Sequence, residues 1–424
     1  RAASTRHGRW GRRSAVATVR PFRAYRPPQA HAARVASPPY DVISTAEARA
    51  LAAGGLHSFL RVSRPEIDLP EGTDEHDDAV YARGAQNLAD LIASGDLAQD
   101  PEPHLYLYAQ KMGDHRQIGV VGCASVAEYE QDVIKKHEKT RPDKEDDRTR
   151  HIEELGAHDE PVFLTYRADP SIDRVVEQAT QSPPIYDFTT ADGVEHRLWV
   201  LGRASTADLE ERFQQIPTLY VADGHHRSAA AARVHRKLRG DGGEHDVFLA
   251  VVFPHDQMNI MPYNRVVRDL AGRSAEALVA ALGERLELAP VPGEDGAAAT
   301  PAGPKAFGLY LGGRWYTARV RPGSFDAKDP VASLDCSICQ DQILGPIFGV
   351  SDPRRDKHVD FVGGIRGIAE LERRVDSGAF TVAILLYPTQ IGELFAVSDA
   401  GLLMPPKSTW FEPKLRSGLF VHTF

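Results

Sequence analysis

The stretch Thr218-Leu-Tyr-Val-Ala-Asp-Gly-His-His-Arg227 gathers one carboxylate (Asp223), one glycine (Gly224), two imidazoles (His225, His226) and one guanidinium (Arg227) at the end of a short apolar run. The alanine-rich Ser228-Ala-Ala-Ala-Ala-Arg-Val follows at once. A strand that turns straight into a helix aims free backbone N–H groups and the positive end of the helix dipole at one point. With Arg227 in the first turn, such a point holds an anion, and phosphate fits it best. Asp-x-His-His also offers hard and borderline metal ligands, with Asp223 as the candidate for a metal ion. Adjacent side chains on an extended turn diverge, so His225 and His226 are not expected to share one ion. In an architectural reading, Asp223 and Gly224 simply make the turn while the imidazoles cap or pack.

Three other clusters carry chemistry. His137-Glu138-Lys139-Thr140 lies in a charged segment, where Glu138 suits a general base or a metal-bridging carboxylate, unless the run is a solvated face. Pro262-Tyr-Asn264-Arg265 follows the apolar run Asp246–Phe253, at a strand end where ligands meet α/β folds. The proline-bounded loop Met404–Lys414 holds Lys407, Ser408 and Thr409, a set suited to an oxyanion or phosphate, although the glycines of a Walker A loop are missing. Cys336-Ser-Ile-Cys339 has CxxC spacing but no second pair and no nearby histidine pair, so its cysteines read as structural.

The elements that position these residues are legible in part. Ser44 or Thr45 caps a helix over 46–53, and the spacing of Val80, Ala85, Leu88, Leu91 and Ile92 predicts another over 74–97. Hairpins are expected from 105–110 with 117–123 and from 185–188 with 196–200. Residues 161–166 and 246–253 read as strands, the latter fully buried. Beyond a stretch rich in Ala, Pro and Gly at 289–304, a hairpin over 307–320, helices near 335–347 and 365–376 and a strand at 380–387 make an α+β C-terminal part.

The 424 residues suffice for two or three packed regions. A net charge of −9 argues against a protein that coats nucleic acid, so no nucleic-acid partner is expected. No uninterrupted apolar run is long enough to span a membrane, and no membrane partner is expected. Arg12-Arg13 is not followed by an apolar stretch, which argues against a twin-arginine leader and makes a cytoplasmic location the expectation. Residues 1–19 read as a disordered Arg-rich extension.

Taken together, Ser37-Pro-Pro-Tyr-Asp-Val-Ile43, His137-Glu-Lys-Thr140, Val221-Ala-Asp-Gly-His-His-Arg227, Tyr263-Asn-Arg265 and Met404-Pro-Pro-Lys-Ser-Thr409 resemble domain of unknown function 1015. The Asp-Gly-His-His-Arg turn is also similar to the phosphate-holding turn of the ParB/sulfiredoxin-like fold, which free serine kinases use on nucleotide phosphates. The resemblance implies an α+β protein with a ParB/sulfiredoxin-like core at 20–288, a linker or loop at 289–304 and a C-terminal α+β part at 305–424. It implies a nucleotide-dependent small-molecule kinase using ATP or ADP with Mg²⁺, acting on serine or a similar hydroxylated metabolite. Gly224, His225, His226 and Arg227 would hold phosphates, with Asn264, Arg265, Lys407, Ser408 and Thr409 as further cofactor contacts. His225 or His226 would donate to the transferring group, Asp223 would bind Mg²⁺ or orient a histidine, and Glu138 would take the hydroxyl proton, with Asp41 in reserve. The alternatives are a non-catalytic, partition-like nucleotide-binding regulator and a metal-dependent phosphohydrolase.

Overall fold

A computed structural model describes residues 16–238, 242–268, 272–293 and 296–424. Most of the Arg-rich segment lies outside the described residues. By Ala17 the chain is buried, its amide donating to the Ile216 carbonyl at 2.9 Å.

Helices and strands are mixed, as expected, and the strands form two main sheets. The larger contains β1 (Val19–Arg20), β2 (Tyr106–Met112), β3 (His115–Ser125), β4 (Ile134–Lys135), β5 (Val162–Tyr166), β6 (Tyr186–Thr189), β7 (Glu195–Val200), β8 (Leu219–Asp223) and β9 (Val247–Pro254). Its spatial order is β4-β8-β5-β9-β3-β2-β7-β6, with β1 paired to β3. The β8–β4 and β9–β5 pairs are parallel. Every residue of β5 and β9 is buried, which is why both segments read as unbroken apolar runs instead of alternating ones. The smaller sheet, wholly antiparallel, contains β10 (Tyr263–Val267), β11 (Leu286–Pro290), β12 (Ala306–Leu311), β13 (Arg314–Val320), β14 (Val359–Gly363) and β15 (Val382–Leu386) in the order β11-β13-β12-β15-β10-β14. Residues 289–304 therefore begin inside β11.

One apolar cluster runs through both sheets, from Tyr106, Phe163 and Val251 to Phe307, Ile384 and Phe411. The chain's end returns to the larger sheet's side, where His422–Thr423 pairs with Ala157–His158 and Val421 bridges Tyr25. That return carries the loop after Met404 past the end of β8.

Three helices matter for the site. The first, α1 (Thr45–Ala52), follows the Ser37–Ile43 segment and starts on a capping box between Ser44 and Glu47. The second, α2 (Pro142–Leu155), is strongly charged, yet it buries Asp147, Arg148, Thr149 and His151. It packs against α3 (His225–Lys237), the alanine-rich helix that follows the turn. Small alanines let the two helices approach closely enough for the polar groups of α2 to find partners. Arg148 Nε donates to Asp147 Oδ2 at 2.9 Å, and His151 Nε2 lies 3.0 Å from Asp159 Oδ2. The helix expected over 74–97 spans Asp78–Ala93, because the Asp77 side chain accepts from the Ala79 amide and fixes the start there.

His196 on β7 is 1% exposed and sits between the Tyr108 hydroxyl (2.8 Å from Nδ1) and Thr190 Oγ1 (3.0 Å from Nε2). Burial, aided by Arg416 and opposed by Asp192, lowers its pKa to about 3. Between that value and the ordinary 6.5, the unfolded chain binds more protons than the folded one, so stability falls as pH drops through the window. The native protein is expected to lose up to about 2 kcal/mol more stability than His196→Gln between pH 7 and pH 5. Denaturant titrations at the two pH values check this, and equal losses would remove His196 from the account.

Candidate functional site

The sequence around residue 223 builds a turn with little freedom. Pairing of β8 with β5 slips between Val221 and Asp223, so a bulge rotates the last residue of the strand out of register. Gly224 follows at φ 92°, a left-handed conformation, and a Cβ there would stand 3.3 Å from the Arg227 guanidinium carbon. Helix α3 then starts at His225 with no side-chain cap, which leaves its first amides open to a ligand.

Asp223 is anchored on both oxygens. Its Oδ1 accepts from the Gly224 amide at 2.8 Å, and its Oδ2 lies 2.9 Å from Lys414 Nζ. Burial disfavours its charge, but Lys414 and Arg227 outweigh that and hold the carboxyl well below its ordinary range. The expected Mg²⁺ ligand thus already carries a cation, and it ties the turn to the C-terminal loop.

The two histidines diverge. His225 turns inward and packs edge-on against His137, with ring centroids 4.4 Å apart. His226 turns outward, its Nε2 accepting from the Arg141 amide at 3.1 Å. Burial lowers the His137 pKa to about 4, and burial next to His137 drives His225 well below the ordinary imidazole value. Both are neutral at pH 7. Burial raises Glu138, which also senses Lys407 and Asp223.

Arg227 lies behind the turn rather than in front of it. Its Nη1 donates to the Pro161 carbonyl and its Nη2 stands 3.7 Å from Asp41 Oδ2. It lines a cavity of about 10 Å³ with Arg148, His151, Asp159 and Glu160, space for roughly one water. Burial, opposed by Arg227, pushes the Glu160 carboxyl up to about 7. Glu160 accepts from the Tyr40 amide and the Ser417 hydroxyl, and Arg148 covers the Tyr40 ring at 4.0 Å. These contacts lock the Pro-Pro-Tyr-Asp segment so that Asp41, 38% exposed, sits beside the turn.

The remaining candidates divide. Lys407, at φ 57°, lies near Glu138 and Asp41, and Thr409 Oγ1 stands 3.3 Å from His137 Nε2. Asn264, Arg265 and Ser408 are engaged elsewhere. Asn264 Oδ1 accepts from the Leu386 amide, joining β10 to β15. Arg265 lies over the Phe361 ring and lines a separate cavity of about 290 Å³ with Cys336, Gln340, Asp352 and Pro405. Ser408 Oγ donates to the Pro405 carbonyl and lies 3.1 Å from Cys336 Sγ. The three cysteines are free and buried. Sequence reasoning missed Lys414 as the partner of Asp223 and His137 as the partner of His225. His137 had a signal, its place beside Glu138; Lys414 had none beyond lying in the same loop.

The fold and site describe a mixed α/β protein with histidines and carboxylates gathered at a strand-to-helix turn. The chain belongs to the DUF1015 family of proteins of unknown function, whose profile matches residues 19–337. No curated protein matches it in sequence. Among solved structures it is similar to a free serine kinase variant in complex with ADP, at 13% identity and a TM-score of 0.33, covering 69% of this chain and 87% of that one. It is also similar to a conserved hypothetical protein from Pyrococcus furiosus (12% identity, TM-score 0.35, 72% and 95% covered). A C-terminally truncated SbnI from Staphylococcus aureus matches at 12% identity and a TM-score of 0.36, with 71% and 87% covered. No helix among the described residues is long and apolar enough to cross a membrane.

The Asp223–Lys414 pair has side-chain exposures of 27% and 14%. Removing one partner of a fully buried pair costs about 3–5 kcal/mol, and this partial exposure scales the expectation to about 2–3 kcal/mol for Lys414→Met. Adding Asp223→Asn removes the unpaired charge and should recover at least half of the loss. Denaturant melts of both variants read this, and an undisturbed Lys414→Met would show that the pair anchors nothing.

Proposed function

We propose that this protein is a nucleotide-dependent small-molecule kinase that transfers phosphate to a hydroxylated acceptor of the serine type. The observation that carries the reading is convergence: the uncapped start of α3, Lys407 and the carboxylates Asp41 and Glu138 meet from four distant stretches of chain. Phosphoryl transfer asks for little more than positioning and charge neutralisation, and these groups supply both. The phosphates rest on the first amides of α3, where the helix dipole favours negative charge, with Lys407 balancing the remainder. Arg227 acts from behind, holding Asp41 and the Pro161 carbonyl so that the turn keeps its shape.

The acceptor hydroxyl attacks the terminal phosphorus, the bond to the nucleotide's bridging oxygen breaks, and the hydroxyl proton passes to Glu138. A carboxylate whose proton affinity is raised by burial is better matched to that task near neutral pH than an ordinary one. His226, partly buried and held by the Arg141 amide, is placed to orient the transferring group. Mg²⁺ arrives with the nucleotide. Asp223 is saturated by Lys414 and Gly224, so its part is to hold the turn.

ATP or ADP should be consumed only when an acceptor is present, and Glu138→Gln should lower kcat by roughly 10²–10⁴ while nucleotide still raises the melting temperature. A thermal-shift screen of nucleotides against hydroxylated amino acids names the pair to assay. Turnover without acceptor would point to a phosphohydrolase, and nucleotide binding with no turnover would point to a regulator; either result overturns the kinase reading.

A further inference from the structure

His137 and His225 are 1% and 6% exposed, yet each keeps a buried ring nitrogen with no hydrogen-bond partner, Nδ1 of His137 and Nε2 of His225. Glu138 lies close to both, and among the described residues its carboxylate accepts no hydrogen bond and forms no ion pair. One donor atom from each of the three lies within 4.8 Å of the other two. A buried polar atom left unpaired costs about 1–3 kcal/mol. Two such nitrogens in residues that also bring a carboxylate within 4.8 Å are therefore an arrangement that packing alone does not justify.

We propose that His137, Glu138 and His225 form a binding site for one divalent transition-metal cation of the zinc class. The donor chemistry selects the class: imidazole suits zinc, copper, iron and nickel, whereas Mg²⁺ and Ca²⁺ take oxygen ligands. Two histidines and one glutamate are also the ligand number that leaves a coordination position open for an exogenous oxygen. Ligand bonds of about 2.0–2.2 Å set donor atoms roughly 3.3–3.6 Å apart, so the three side chains close by about 1 Å through small rotations.

The surroundings hold the ligands in place. Thr409 Oγ1 meets the other nitrogen of His137 at 3.3 Å, and the Met404 amide donates to the His137 carbonyl at 2.7 Å. The first contact helps orient the ring and the second anchors its backbone, the usual service of neighbours to a ligating histidine. His225 is fixed by its place at the first position of α3. Asp223 does not compete, because Lys414 and the Gly224 amide occupy its oxygens. The other cluster of this kind, His235, His245 and Asp246, differs: all three of its residues are only partly buried, and His235 Nδ1 already lies 3.0 Å from Asp246 Oδ1.

The inference stands apart from the kinase reading, since it needs only these three side chains. The chelator-treated full-length protein should take up one equivalent of Zn²⁺ or Co²⁺ by calorimetry, and Co²⁺ should give visible absorption bands. A hundredfold excess of Mg²⁺ should leave both signals unchanged. His137→Ala and His225→Ala should each weaken Zn²⁺ binding at least about 100-fold, more than the loss of a mere supporting contact. His235→Ala should bind as the native protein does. Because either ligand variant can unfold, the native protein's melting temperature is measured with and without Zn²⁺; a rise that His235→Ala shares supports the site. Binding lost only in His235→Ala, displacement by Mg²⁺, or no uptake by the native protein overturns it. Zn²⁺ uptake without phosphoryl transfer would leave this site standing and remove the kinase, and phosphoryl transfer by a protein that takes up no Zn²⁺ would do the reverse.

Discussion

The contact between Asp223 and Lys414 joins the end of β8 to a loop 191 residues further along the chain. Without it the turn and the C-terminal loop would be separate surfaces. With it, the two lie side by side, and His137 is held between the turn and the loop. The bulge before Asp223 and the left-handed Gly224 make the pair possible, because they rotate the carboxylate out of the sheet's register. Geometry is thus set by the conformational freedom of one glycine and secured by charge at the residue before it.

Behind the turn lies a second layer of charge that faces inward. Arg148, Asp147, His151, Asp159, Glu160 and Arg227 are all buried. Ion pairs in such a setting seldom add net stability over well-packed apolar residues, but they fix orientation. Here they orient Tyr40 and Asp41, since Arg148 covers the Tyr40 ring and Glu160 holds its amide. An apolar layer would pack as well and would leave Asp41 without a defined place.

The strands were legible because their patterns are strong: β9 is an unbroken apolar run, and both hairpins carry glycine or aspartate at the turn. The turn at 223–227 was legible because a strand, a glycine and an alanine-rich helix follow one another without a gap. Helix α2 was not. Its charges hide the apolar periodicity that marks a helix, and its burial depends on partners such as Tyr81 and Asp159, from other segments. The charged run that reads as a solvated face is in fact half buried. Asn264, Arg265 and Ser408 neighbour Tyr263, Lys407 and Thr409 in sequence, but local sequence does not say which side of a loop a side chain takes.

That last point explains how the 404–409 loop is built. Pro405 faces the larger cavity with Arg265 and Cys336, and Ser408 bonds back to the Pro405 carbonyl and closes the loop on itself. Lys407, at φ 57°, projects toward Tyr263, Glu138 and Asp41. Thr389 donates to the Ser408 carbonyl at 2.7 Å and fixes the loop from below. A left-handed lysine is uncommon and costs about 1–2 kcal/mol, so the surrounding bonds must hold it there. The loop is a wall between two compartments, and its one strained residue is the one that supplies a cation to the turn.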